Sequence, residues 1–162
     1  MKVLVFVATG FEDVELITTL DIFNRRNIKY DLYSPENLEI VKGKFEAHVK
    51  TKKIDNLDII EYTALFLPGG PGHIILKENK KVIQTIKEFK NNDKLITAIC
   101  AAPEILVYAN VIDEKQKITA FPGFANISNN TREDVVIESN LITARDYEST
   151  LSFANAICDK LI

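Results

Sequence analysis

Three uninterrupted apolar runs of strand length constrain this chain most: KVLVFVA at 2–8, TALFLPGG at 63–70 and KLITAI at 94–99. A strand with one wet face alternates apolar and polar residues. A run that is apolar at almost every position needs cover on both faces, as in a parallel sheet between layers of helices. The stretches between the runs supply that cover. EDVELITTLDIFNRRN (12–27) puts Leu16, Leu20 and Phe23 on one helical face and Val14 and Ile17 toward another. KKVIQTIKEFK (80–90) gathers Val82, Ile83, Ile86 and Phe89 on one face. IKYDLYS (28–34) alternates up to Pro35 and reads as a strand, and residues 38–54 read as a small hairpin around Gly43. APEILVYA (102–109) reads as a helix, and KITAF (117–121) and VVIESNLITAR (135–145) as later strands. YESTLSFANAICDKLI closes the chain as a helix with Leu151, Ala154, Cys158 and Leu161 on one face. The alternation predicts an α/β fold with a mainly parallel sheet. No linker, repeat or low-complexity tract divides the 162 residues, so residues 1–162 are expected to form one domain.

Composition narrows the function classes. A net charge of −3 with scattered lysines disfavours a nucleic-acid surface, which needs a clustered basic face. No apolar run approaches the ~20 residues of a membrane span. MKVLVFVATG lacks a small-residue cleavage site and reads as a first strand rather than a signal peptide. Two cysteines without a disulfide framework point to a reducing, cytoplasmic setting. No pair of Cys or His residues has ligand spacing, so no metal is expected, and nothing calls for a cofactor.

In open α/β sheets, sites form at the carboxyl ends of the strands, near a topological switch point. The turns to examine are 9–15, 67–73, 100–103 and 121–124. Cys100 falls on one of them, between a strand and a helix whose first turn suits Pro103. Backbone N–H groups at such an elbow favour a thiolate, which would lower the thiol pKa. The amides of Ala101 and of the Gly69–Gly70 turn are candidates to hold an oxyanion. From spacing alone, a nucleophile and a small apolar core residue fit Cys100 equally well.

TGFEDVE (9–15), LPGGPG (67–72), ITAICAAPEIL (96–106) and ITARDYESTLSFANAICDKL (142–161) together resemble the ThiJ/PfpI superfamily. They are most similar to the branch of the human parkinsonism-associated protein and its small bacterial relatives. The resemblance spans nearly the whole chain in order and spacing. It implies a flavodoxin-like three-layer sandwich, usually a homodimer, with a reactive cysteine at the elbow, here Cys100. It assigns the acid of the first helix to Glu15, able when protonated to donate to the thiolate or to shuttle a proton. It assigns the anion-binding amides to Gly70 and Ala101.

The chain also departs from that pattern. Many relatives carry a histidine before the proline after the next strand; ITAFPGF puts Phe121 there. Of the two histidines, His48 reads as a surface strand residue. His73 reads as a surface residue at a helix start or, alternatively, as an auxiliary imidazole. Ala101 stands where the protease-like branch has histidine, and the amidotransferase motifs are absent. Ser149, Thr150 and Arg145 match the loop before the last helix. Asp146-Tyr147-Glu148 replaces its common Gly-Pro-Gly and predicts a bulkier, more acidic pocket. Cys158 reads as core.

Two functions follow from the resemblance. One is a cofactor-independent enzyme acting on reactive carbonyls or glycated substrates, of glyoxalase III or deglycase type, with Cys100 as nucleophile and Glu15 as proton shuttle. The other is a non-enzymatic, redox-responsive or chaperone-like stress protein with an oxidisable Cys100.

Overall fold

The computed structural model describes residues 1–162. The chain runs β1 (Lys2–Phe6), α1 (Asp13–Arg25), β2 (Lys29–Ser34), β3 (Ile40–Lys42), β4 (His48–Lys50), β5 (Lys52–Lys53) and β6 (Ala64–Leu67). It continues through α2 (His73–Glu78), α3 (Lys80–Asn91), β7 (Leu95–Ile99), α4 (Pro103–Tyr108), β8 (Val135–Glu138), β9 (Leu141–Ala144) and α5 (Thr150–Leu161). Seven strands form one sheet in the order β5-β2-β1-β6-β7-β9-β8. All neighbours are parallel except β8, which returns antiparallel on β9.

The continuous apolar runs have the predicted cause. In β1, Leu4 and Phe6 point into one core with Leu76 of α2, Ile86 and Phe89 of α3, and Leu106 of α4. Val3 and Val5 point into the other, with Leu16, Leu20 and Phe23 of α1 and Phe153 and Ile157 of α5. The result is the flavodoxin-like three-layer sandwich. Strand order reverses between β1 and β6: β2 lies on one side of β1, and the chain then crosses to β6 on the other. The carboxyl ends of β1, β6 and β7 therefore border one crevice.

Three sequence expectations change. KITAF forms no strand of the sheet. Its residues make an isolated bridge at Ile118–Asn130, and the Thr119 N–H donates to the Thr143 hydroxyl. The place beside β9 is taken by β8, and this segment reaches β9 only through the Thr143 side chain. VVIESNLITAR is a hairpin rather than one strand, turning at Ser139, whose φ is 55°. The last helix begins at Thr150 after a short 3₁₀ turn at Tyr147–Ser149. Leu151, in its first turn, is exposed, and Phe153, Ala154, Ile157, Cys158 and Leu161 form the buried face. The hairpin around Gly43 forms as β3 and β4, with His48 on its exposed side.

Candidate active site

Cys100 follows β7 directly, and its backbone is left-handed, with φ 64°. That conformation costs an L-residue roughly 1–2 kcal/mol, so the surrounding structure must hold it. It is held from both sides: the Cys100 N–H donates to Ala144 O at 2.9 Å, and its carbonyl accepts from the Phe121 N–H at 2.8 Å. The side chain is half-buried, whereas Cys158 is fully buried in the core beneath α5.

The loop after β6 brings the second component. The Glu12 N–H donates to Gly69 O at 3.0 Å. The peptide joining Gly69 and Gly70 is thereby clamped with its N–H turned away from Glu12. Gly70 has φ +89°, and a β-carbon there would lie 2.7 Å from Gly10 O, so only glycine fits. Neither the Gly70 N–H nor the Ala101 N–H has an oxygen or nitrogen acceptor within the protein, and the Ala101 N–H lies beside the Cys100 sulfur. Two donors are thus left for a developing negative charge beside the thiol.

Glu15 reaches this point from the first turn of α1 and is fully buried. Its Oε2 accepts the Gly69 N–H at 2.9 Å, while Oε1 has no hydrogen-bonding nitrogen or oxygen. Burial pushes its carboxyl up to about 7, with smaller increments from the negative charges of Glu12 and Asp146. Contact with Cys100 and the Gly69 N–H pull it the other way. The Cys100 thiol is pushed up, first by burial and then by the adjacent Glu15 carboxylate; the Ala101 N–H opposes this. The expected lowering of the thiol pKa therefore does not hold. Helix α4 has only six residues and contributes little field, and a thiolate beside an ionised Glu15 would set two negative charges in a buried place. The pair holds one negative charge readily and two poorly.

A cleft of about 670 Å³ opens over these groups. Cys100, Ala101, Gly70 and Glu15 line its floor, with Glu12 and Asp13 beside them. Val14, Pro71, His73, Phe121, Phe124, Tyr147, Lys44 and Phe45 complete the lining. His73 is buried, not on the surface: its Nδ1–H donates to Gly70 O at 2.9 Å and its Nε2 lies 3.5 Å from Glu104 Oε2. Both ring nitrogens are thus engaged away from Cys100, and the ring stands edge-on to Phe124 at 5.2 Å. The imidazole braces the Gly70 carbonyl.

Lys44 and Phe45, at the tip of the β3–β4 hairpin, were not among the sequence candidates. Asp13 seats that tip by accepting the Phe45 and Ala47 N–H groups at 3.0 and 2.9 Å. Lys44 Nζ lies 3.5 Å from Glu12 Oε2. A contact between residues more than thirty positions apart leaves no local signal in the sequence. Gly43 is its one trace, because a β-carbon there would collide with the Asp13 and Phe11 side chains. Asp146 is paired with Arg145 at 2.9 Å and caps Ser149, while Tyr147 faces the cleft. No group of three or more His, Cys, Asp or Glu is placed to hold a metal ion, and no helix is long and apolar enough to cross a membrane.

A doubly wound sandwich with a left-handed cysteine at an elbow, a buried acid and two free amides defines a class of reactive-cysteine α/β proteins. Residues 1–160 match the DJ-1/PfpI family, and the chain belongs to it. It is 29% identical over 159 residues to Protein/nucleic acid deglycase 2 of Escherichia coli (strain K12), covering 94% of this chain and 92% of that one. It is 30% identical over 154 residues to Deglycase TK1284 of Thermococcus kodakarensis, covering 90% of each. Protein DJ-1 homolog B of Arabidopsis thaliana is 27% identical over 164 residues. That match takes in 98% of this chain but 37% of the longer plant protein. Among solved structures, oxidized Toxoplasma gondii DJ-1 superposes with a TM-score of 0.92 at 28% identity, over 99% of this chain and 90% of that one.

Proposed function

We propose that this protein is a cofactor-independent enzyme converting reactive 2-oxoaldehydes, free or as early glycation adducts, into 2-hydroxy acids. The observation that carries the reading is the Cys100–Glu15 pair beneath the free N–H groups of Gly70 and Ala101. Relatives of near-full coverage named deglycases support the carbonyl class.

The one-proton character of the pair suggests the route. Near neutral pH, Glu15 is partly ionised and Cys100 is a thiol. As the sulfur attacks the aldehyde carbon, its proton passes to Glu15, a C–S bond forms, and the carbonyl π electrons move onto oxygen. The Gly70 and Ala101 amides meet that oxyanion, and Glu15 returns the proton to give a hemithioacetal. Glu15, again a carboxylate, removes the proton from the former aldehyde carbon to give an enediol and delivers it to the neighbouring carbon, while the hydroxyl proton of the first carbon passes to the oxygen of the second. This leaves a thioester of the 2-hydroxy acid. Water hydrolyses the thioester and restores the thiol, so the net reaction adds one water to the substrate. A carboxyl near 7 suits both directions of transfer. Lactate formation from methylglyoxal tests the reading: wild type should produce it and Cys100→Ser should not, while equal rates would refute it.

We further propose a homodimer. Leu16, Leu20 and Phe23 of α1 are buried, while Val14 and Ile17 remain 41% and 42% exposed on the same helix. A twofold partner would cover that second face. Sedimentation at micromolar concentration should give a dimer, with Ile17→Lys shifting it toward monomer; a wild-type monomer would overturn the proposal.

A further inference from the structure

The lining of the cleft carries information about the substrate that the Cys100–Glu15 pair does not. A three-carbon oxoaldehyde is small beside about 670 Å³, a volume in the range of pockets that enclose much larger ligands. The surplus space is bounded by aromatic rings. Phe121 remains 39% exposed and Tyr147 54%. Phe121 is tied to the reacting centre, because its N–H donates to Cys100 O at 2.8 Å. Phe124 stands behind it at 6.3 Å between ring centroids and is braced in turn by the edge-on His73 ring. The Phe121 backbone thus has a fixed place beside the sulfur, and its ring has Phe124 against it.

Charge points the same way. Glu12, Asp13 and Glu15 line the cleft, and its one lysine, Lys44, is paired with Glu12 at 3.5 Å. An anionic oxoacid would meet three carboxyl groups and no cation that is not already engaged, and would lose its hydration there.

We propose that the cleft selects uncharged 2-oxoaldehydes bearing an aromatic or bulky apolar substituent, with Phe121 as the specificity-determining residue. This rests on the carbonyl reading above. The substituent lies along Phe121 and Tyr147 while its aldehyde carbon meets Cys100. Filling an apolar pocket of this kind discriminates by roughly 10–200-fold.

The experiment compares kcat/KM for phenylglyoxal, methylglyoxal and glyoxylate in wild type, Phe121→Ala and Phe121→Leu. Wild type should favour phenylglyoxal over methylglyoxal by at least about tenfold and use glyoxylate least. Phe121→Ala should reduce the phenylglyoxal preference at least about fivefold, and Phe121→Leu, which keeps apolar bulk, should reduce it less. A ratio at or below one, a ratio unchanged in Phe121→Ala, or a preference for glyoxylate would overturn the inference while leaving the catalytic reading intact. Loss of turnover with all three substrates would instead overturn the catalytic reading. The cleft is then read by ligand-observed NMR of acetophenone, an unreactive aryl ketone, with the Cys100→Ser protein. Binding that Phe121→Ala abolishes supports the aromatic site, and absence of binding overturns it.

Discussion

The Gly69 N–H donates to the buried Glu15 carboxylate at 2.9 Å, and a β-carbon on Gly69 would lie 2.7 Å from both Glu15 Oε2 and Cys100 Cβ. Gly69 therefore sets the spacing of the acid and the thiol. Gly69→Ala should wedge them apart. Overpacking of this kind costs roughly 1–3 kcal/mol of stability, and a displacement near 1 Å at the reacting groups costs about a hundredfold in rate. Urea unfolding and methylglyoxal turnover check both effects. A Gly69→Ala protein of wild-type activity would show that this spacing does not matter.

Glu15 should also make stability depend on pH. Its carboxyl loses its proton near 4.5 in the unfolded chain and at about 7 in the folded one. Below 4.5 both forms are protonated and nothing is lost. As pH rises from 4.5 to about 7, the unfolded carboxyl ionises while the folded one resists, so stability falls. At ~1.4 kcal/mol per pH unit the loss is roughly 3 kcal/mol once pH exceeds 7. Glu15→Gln removes this dependence, so urea titrations should show the variant gaining on wild type by about that amount between pH 4.5 and about 8. Parallel pH profiles would contradict it.

Alkylation of Cys100 should be governed by Glu15. The ionised carboxylate pushes the thiol up, so labelling by iodoacetamide should be slow at neutral pH and climb on the alkaline side. Glu15→Gln removes the repulsion, which lowers the thiol pKa and speeds labelling at pH 7 several-fold, roughly. Cys158, sealed in the core, should stay unlabelled in the native protein. Faster labelling in wild type than in Glu15→Gln would reverse the assigned sign. Peroxide addresses the redox-responsive alternative: sulfinate on Cys100 together with no carbonyl turnover would favour it.

The layers of the fold were legible because their causes are local. The runs at 2–8, 63–70 and 94–99 are apolar at nearly every position, and each strand they form is buried on both faces. Cys100, Glu15, Gly70 and Ala101 were legible through motif order, and the structure gathers all four at the floor of one cleft. What was not legible depends on distant partners. KITAF stays outside the sheet, whose place beside β9 goes to β8, and no feature of those five residues reports that pairing. Leu151 is exposed although it lies seven residues before the buried Cys158 on the same side of the helix, since burial depends on which neighbouring elements cover each turn. The thiol pKa went the other way because burial and Glu15 outweigh a single amide, and burial is a property of the whole assembly. His73 is buried because its Nδ1–H meets Gly70 O and its ring packs on Phe124, fifty-one positions away.

The central claim is a division of labour: Cys100 binds the carbonyl and Glu15 moves its protons. Intact-protein mass spectrometry of Glu15→Gln exposed to methylglyoxal, with lactate measured in the same sample, tests it most directly. The amide can still donate a hydrogen bond but cannot accept and return a proton. The account predicts a reversible thiol adduct confined to Cys100, with lactate formation reduced at least about a hundredfold. Wild-type lactate production by Glu15→Gln, or an adduct on other residues with Cys100 free, would contradict it.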